Sequence, residues 1–386
     1  MNPDLILLAL SLFTWGIGEG MFFYFQPIYL AQLGANPLMI GAILGGAGLA
    51  MTLVHIPAGY LSDKIGRRPM MRAAWLVGML STWMMALVRS LPFFVIGLIL
   101  YSLTAFVASP LNSYVTAARG KLSVGRALTL ISATFNLGVV LGPIAGGWLG
   151  DRFGMRTIFT IAGCIFILSN ILIFFLRSQP RDDHDPDAPP LRLFANWRYL
   201  AFLGIAFVVL FALYLPQPLT PVFLKDIRGL SLSQIGILGS IGGLGNALIN
   251  LVLGHFDARR GFLLGQIAVG AFTLLIWRGE GLLAFGLGYF LLGGYRAARP
   301  LAAAQVRSLV HQAQMGLAYG LTETIGALPV VLAPPLAGYL YERDPVMIYP
   351  FSLAVIAAAL ILSIAFAPRQ TAGVQVQSIR GSPPIP

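Results

Sequence analysis

"LGVVLGPIAGGWLGD", residues 137–151, aligns without a gap on "LPVVLAPPLAGYLYE", residues 328–342, with seven identities in fifteen positions. One apolar match of this kind proves little, because helices of similar composition resemble one another. Three further matches in the same register remove that objection. "MIGAILGGAGLAMTLVHIPAG" (39–59) and "QIGILGSIGGLGNALINLVLG" (234–254) align from a shared Ile-Gly pair to a closing glycine. Gln26-Pro27 pairs with Gln217-Pro218, and Pro110-Leu111 with Pro300-Leu301, all at offsets between 190 and 195 residues. The chain therefore repeats one unit twice in the same orientation. Parallel repeats of this size build proteins in which two helical bundles rock about a site at the membrane midplane.

Composition agrees with that frame. Of 386 residues, 57% are hydrophobic and 10% charged, against about 25% charged in ordinary soluble domains. Apolar runs of about 20 residues, long enough to cross the hydrocarbon core as helices, recur from end to end. The fold class expected is an all-α polytopic membrane protein with twelve transmembrane helices, arranged as two six-helix pseudo-repeats around a central cavity. The net charge of +11 is no sign of nucleic-acid binding, since the basic residues sit mostly in short loops that contact lipid headgroups. The start, "MNPDLILL", carries an acid where a cleavable signal peptide has basic residues. Cys164 is the one cysteine and so forms no intrachain disulfide.

Polar breaks place the spans at about 5–30, 38–62, 69–89, 91–117, 126–150, 157–177, 198–224, 232–256, 262–277, 281–306, 315–341 and 347–367. The expected units are an N-terminal bundle over 1–177, a linker over 178–197, a C-terminal bundle over 198–368 and a disordered tail over 369–386. The linker carries "RSQPRDDHDPDAPPLR" (177–192), rich in Pro and Asp and without apolar periodicity. Alternate loops hold 16 and 7 Lys or Arg residues. The positive-inside rule assigns the richer set to the cytoplasm, which puts both termini and the linker inside.

Two motifs carry a family resemblance. "GYLSDKIGRR" (59–68) joins spans two and three, and its Gly59, Asp63, Gly66, Arg67 and Arg68 resemble the G-x-L-x-D-x-x-G-R-R loop of the major facilitator superfamily. The physics is readable on its own terms: Gly66 permits a tight turn, the arginines snorkel to headgroups, and Asp63 can face a helix N-terminus. The resemblance implies that this N-terminus is the cytoplasmic start of span eleven, forming a charge–dipole latch. A degenerate copy, "GHFDARRG" (254–261), stands in the second half. In span five, "GVVLGPIAGG" (138–147) places Gly138, Gly142 and Gly146 on one face for close helix contact, while Pro143 bends the axis. It is similar to the G-x-x-x-G-P-x-x-G-G motif of the antiporter branches, and the resemblance implies a gating role. Many proton-coupled exporters of that superfamily carry an arginine twelve residues before the span-four proline. Here that position, counted back from Pro110, is Leu98.

Ionisable groups well inside the spans are few: Glu19, His55, Arg296, Arg299 and Glu323. Such groups are costly in a bilayer and face a cavity or a partner. Arg299 and Glu323 are expected at similar depth, with an interhelical ion pair standing beside a proton-coupling role for Glu323. One carboxylate does not neutralise both arginines. No basic residue follows Met1 in the helix of Glu19, so this acid is expected without a charged partner. Ser11, Trp15, Glu19, Phe22 and Gln26 recur every three or four residues, and this stripe is expected on the cavity wall. A buried carboxyl group there is a candidate for proton exchange near neutral pH. Further cavity candidates are Asn112 and Tyr114 in span four, Tyr214 and Gln217 in span seven, and Tyr295 with both arginines in span ten. His55, near Pro57, reads as structural.

These features imply a non-enzymatic secondary transporter that exports small amphipathic organic compounds in exchange for protons. Its expected partners are the substrate, the proton and membrane lipids, with no nucleic acid, no metal and no cofactor. It is expected to act as a monomer in a bacterial-type plasma membrane. The alternative is a carrier for an organic anion, metabolite or lysolipid whose acidic group the cavity arginines bind. A non-transporting sensor or lipid-handling protein is a third reading. No nucleotide-binding P-loop occurs in the chain, which argues against ATP-driven pumping.

Overall fold

The computed structural model describes residues 2–177, 196–253, 255–306, 309–310 and 315–366, apart from the side chains of 55–63, 109, 124–125 and 315–320. Among the described residues the chain is helical throughout. Span one runs Pro3–Phe23 and resumes as Gln26–Gln32; spans two and three are Pro37–Ile65 and Arg67–Leu87. Span four is Leu91–Leu103 and Ala108–Ala118, joined by the 3-10 turn Thr104–Val107. Spans five and six are Val124–Phe153 and Met155–Phe174, and span seven is Trp197–Tyr214 followed by Thr220–Asp226. Spans eight and nine are Leu232–Leu253 and Ala258–Arg278, and span ten is Gly281–Leu291 plus Gly293–Val306. Met315–Arg343 and Ile348–Phe366 complete the series.

The breaks follow from the sequence. The interruption of span one at Tyr24 and Phe25 precedes Gln26-Pro27, and that of span seven contains Pro216 and Pro218. Proline lacks the amide proton that a continuous helix needs. Among the described residues, eleven spans are long and apolar enough to cross a membrane, span four being counted through its 3-10 turn. Span ten is the exception because it is divided at Leu292, leaving two pieces of 11 and 14 residues. Gly66, at φ 95°, holds a left-handed turn that starts span three, a backbone setting that favours glycine.

The start of span one and the ends of spans four and six lie together at one end of the first half, here termed the terminal end. The Asn2 side chain donates to the Ala118 carbonyl at 3.1 Å, and the Arg177 amide donates to Asp4 Oδ1 at 3.3 Å. In the second half, the Arg259 guanidinium donates to the Ile364 carbonyl at 2.6 Å, tying the start of span nine to the end of span twelve.

Buried polar groups pin helices within each half. Trp75 Nε1 donates to the Ser11 and Ser169 hydroxyls, both at 2.9 Å, tying spans one, three and six. Gln266, one repeat on from Trp75, donates from Nε2 to the Ser363 hydroxyl at 3.1 Å and ties spans nine and twelve. Interhelical bonds of this kind contribute roughly 0.6–1.7 kcal/mol in a membrane.

Among the described residues, close approaches between the halves include a cluster at the end opposite Asn2 and Arg177, here the distal end. A side chain at Gly236 would meet the Pro143 carbonyl, and one at Gly147 the Leu232 carbonyl, where spans five and eight cross. The repeat supplies the counterpart where spans two and eleven cross: Gly41 lies against the Pro334 carbonyl and Gly338 against the Pro37 carbonyl. Pro143 and Pro334 are equivalent positions of the internal alignment. The sequence repeat is thus a repeat of two interfaces that close the distal end.

Candidate functional site: the cavity between the two halves

Span one carries three glycines whose surroundings set its rotation. Gly16 and Gly20 lie against span five at Phe135, Val139 and Pro143, while Gly18 lies against the Phe166 ring of span six. The span-five stripe completes this contact: side chains at Gly138, Gly142 and Gly146 would run into the span-one backbone at Phe13, Ile17 and Met21. The close helix contact expected of that stripe is therefore made with span one. Pro143 and Gly147, on its other side, meet span eight.

With that rotation, Glu19 points toward span four. Its Oε2 accepts from the Tyr101 hydroxyl at 2.7 Å and from Trp15 Nε1 at 3.2 Å. The expectation that Glu19 lacks a charged partner holds for salt bridges among the described residues, but the acid is well solvated by neutral donors. Tyr101 escaped the sequence reading. It lies three residues past Leu98, so a polar aromatic on nearly the same face stands where an arginine was sought and not found.

The rest of the expected stripe is corrected. Trp15 is buried and stacks on Phe166 at 4.0 Å between ring centroids. Phe22 is fully buried against Tyr101 and Phe159, at 5.2 and 5.3 Å. Ser11 bonds Ser169 and Trp75, and Gln26 is buried at the start of the helix that follows the break. These side chains fill the first bundle and do not line the cavity, because packing the glycines of span one on span five turns them inward. Tyr114 is also corrected. It is fully buried, and its hydroxyl donates to the Arg177 carbonyl at 2.9 Å, tying span four to the end of span six.

The other candidates differ in exposure, and Tyr295 is buried. Asn112 and Arg296 are exposed, and Gln217 is half-buried and donates to the Leu213 carbonyl at 2.7 Å. Tyr214 and Tyr295 lie ring to ring at 5.4 Å. Arg299 pairs with Glu323 at 3.1 Å, with side-chain exposures of 32% and 58%. Arg296 has no ion pair among the described residues. Tyr24 spans the two halves: it lies beside Gly239 of span eight, and its ring is 6.4 Å from that of Tyr289.

A second missed group is Asp151, at the distal end of span five. Its two carboxylate oxygens accept the backbone amides of Leu232 and Ser233 at 2.9 and 2.8 Å. One half thus caps the N-terminus of a helix in the other, where the helix dipole favours negative charge. The latch expected of Asp63 at the opposite end, with Gly59, involves side chains outside the described set, as does His55. Arg67 and Arg68 open span three directly after Gly66.

Comparison with known proteins decides the family. The Major Facilitator Superfamily profile matches residues 8–256 and 202–384. The chain belongs to that superfamily. It is 27% identical over 310 residues to the multi-drug resistance efflux pump PmrA of Streptococcus pneumoniae, covering 72% of this chain and 75% of PmrA. It is 22% identical over 362 residues to the quinolone resistance protein NorA of Staphylococcus aureus, covering 89% and 91% of the two chains. Among solved structures, a variant of the nucleoside transporter NupG superimposes with a TM-score of 0.83 at 15% identity, over 94% of this chain and 99% of that one. The last likeness confirms the fold of this superfamily member, an integral membrane transporter.

Proposed function

We propose that this superfamily member is a secondary active exporter that exchanges protons for small amphipathic organic compounds by alternating access. The observation that carries this reading is Glu19. It is an acid inside the membrane with two neutral donors on one carboxylate oxygen and no salt bridge among the described residues. Such a group can release its proton to bind a cationic substrate and recover it when the substrate leaves. Asp151 and the Gly147–Leu232 contact act as the outer gate, and the 59–68 loop with the span-five glycines as the inner and hinge elements. Glu323 shares its charge with Arg299 and holds spans ten and eleven together, leaving the coupling role to Glu19. Both termini lie in the cytoplasm of a bacterial-type plasma membrane, and one chain is the working unit. The kinship with PmrA, a multi-drug resistance efflux pump, supports this direction of transport.

The unpaired Arg296 favours a second reading, a carrier for an organic anion or lysolipid. Everted membrane vesicles separate the two. Adding tetraphenylphosphonium to acid-loaded vesicles should release protons if a cation exchanges for them. If the second reading holds, tetraphenylphosphonium should release no protons, while an organic anion added to the same vesicles is taken up.

A further inference from the structure

Between spans three and six, within the first half, runs an open groove of about 340 Å³. Leu76 and Met79 line one side, and Ile167, Ile171 and Phe174 the other. All but Met79 of these are exposed. Asn170 is the one polar residue along the groove, and its Nδ2 is taken by the Trp75 and Phe166 carbonyls at 3.1 and 2.9 Å. The lining suits a hydrocarbon chain and offers no charge to a polar ligand.

A cation stands at the end of this groove. Arg72 of span three lies over the Phe174 ring, with Cζ 4.8 Å from its centroid, and donates to the Phe174 carbonyl. Phe174 ends span six, where the helix dipole presents about half a negative charge, so about half of the guanidinium charge stays unbalanced. Arg68, one turn nearer the terminal end, adds a like charge on the same helix face, and the first turn of span three holds no acid. No carboxylate pairs with either arginine among the described residues.

The internal repeat shows that capping a neighbouring helix does not by itself call for a cation at this depth. In the second half the cap on the Ile364 carbonyl comes from Arg259, the second residue of span nine. Arg72 is the sixth residue of span three, about 6 Å further along the axis. One repeat on from it stand Leu263 and Leu264. The first half therefore holds an additional arginine, inside the helix and against an apolar groove.

We infer that this groove is a specific site for an anionic phospholipid. One acyl chain lies between spans three and six, and the headgroup phosphate meets Arg72 and Arg68. A guanidinium matches phosphate with two parallel donors. A choline headgroup would bring its own cation toward the two arginines, so phosphatidylcholine fits less well than phosphatidylglycerol. With the terminal end cytoplasmic, as proposed above, the site faces the leaflet whose surface is negative. Neither part of the site touches the cavity between the halves.

The test uses the purified full-length chain, delipidated in detergent and titrated with dioleoyl phosphatidylglycerol or dioleoyl phosphatidylcholine, with bound lipids counted by native mass spectrometry. The first phosphatidylglycerol should bind about fivefold or more tighter than phosphatidylcholine, the equivalent of about 1 kcal/mol for one arginine near the membrane surface. Arg72→Gln should remove that preference, and Arg72→Lys should keep part of it. Arg126→Gln, which removes a cation at the same end of the first half, should leave it intact. Ile171→Trp fills the groove without touching either arginine and should weaken phosphatidylglycerol by a similar factor. Excess glycerol 3-phosphate, a headgroup phosphate without a chain, should not displace the lipid. Equal affinity for the two lipids overturns the inference, as does a preference that survives in folded Arg72→Gln or in Ile171→Trp. An equal loss in Arg126→Gln would mark general charge attraction and overturns it as well. Displacement by glycerol 3-phosphate overturns the part given to the groove.

Discussion

The Tyr101 hydroxyl donates to Glu19 Oε2 at 2.7 Å, across a sequence separation of 82 residues. With Trp15 on the same oxygen, this bond fixes the carboxyl group through Oε2. Tyr101→Phe removes one donor from a charged acceptor, a loss of roughly 1.5–3 kcal/mol. Binding of tetraphenylphosphonium to the variant is expected to weaken about tenfold or more. The fold should persist, because the ring contacts of Tyr101 with Trp15 and Phe22 are kept. A change of less than twofold would detach Tyr101 from the site.

The Asp151 cap crosses between the halves, so its loss acts on conformation before stability. Removing an N-cap costs about 0.5–2 kcal/mol, enough to shift a two-state equilibrium severalfold. Asp151→Ala is expected to enlarge the separation between spin labels at positions 153 and 230, placed on a Cys164→Ser background. Asp151→Asn should lie near wild type, because asparagine also caps. Equal distance distributions in wild type and Asp151→Ala would remove the latch.

Gly146 and Gly147 are neighbours with different duties. A methyl group at Gly146 runs into the Met21 backbone within the first half, whereas one at Gly147 runs into Leu232 of the other half. Overpacking costs about 1–3 kcal/mol. Gly146→Ala should lower the thermal stability of the purified protein. Gly147→Ala should leave that stability close to wild type and open the distal end, read by the same pair of labels. The reverse pattern would show that the rotation of span five is misassigned.

The Arg299–Glu323 pair is partly solvated, and ion pairs of that exposure contribute about 0–1 kcal/mol. Glu323→Gln is therefore expected to lower stability by less than about 1 kcal/mol and to keep gradient-driven transport. Loss of coupling in Glu323→Gln, measured by flux under an imposed pH gradient, would return the proton role to that residue.

The fold was legible because it is written in periodic and repeated features. Apolar run lengths located the spans to within a few residues, and the Gln-Pro repeat anticipated where spans one and seven break. The match of 137–151 on 328–342 even foreshadowed the paired interfaces at Gly147 and Gly338. The site was less legible because it depends on helix rotation. The stripe of Ser11, Trp15 and Phe22 was correct as a face, but its direction was set by Gly16 and Gly20 seating on span five, a contact with no trace in the spacing of span one alone. Tyr101 and Asp151 act through partners about 80 residues away, and a single sequence holds no signal that couples positions so distant.

The central claim is that Glu19 carries the exchanged proton, and flux in proteoliposomes tests it most directly. Wild type and Glu19→Gln are compared in two modes: uptake of tetraphenylphosphonium driven by an imposed pH gradient, and exchange of labelled for unlabelled substrate at equal pH. The predicted result is that Glu19→Gln abolishes gradient-driven uptake and retains equal-pH exchange, since the amide can still cycle without a proton. Gradient-driven uptake at the wild-type rate in Glu19→Gln would contradict the claim.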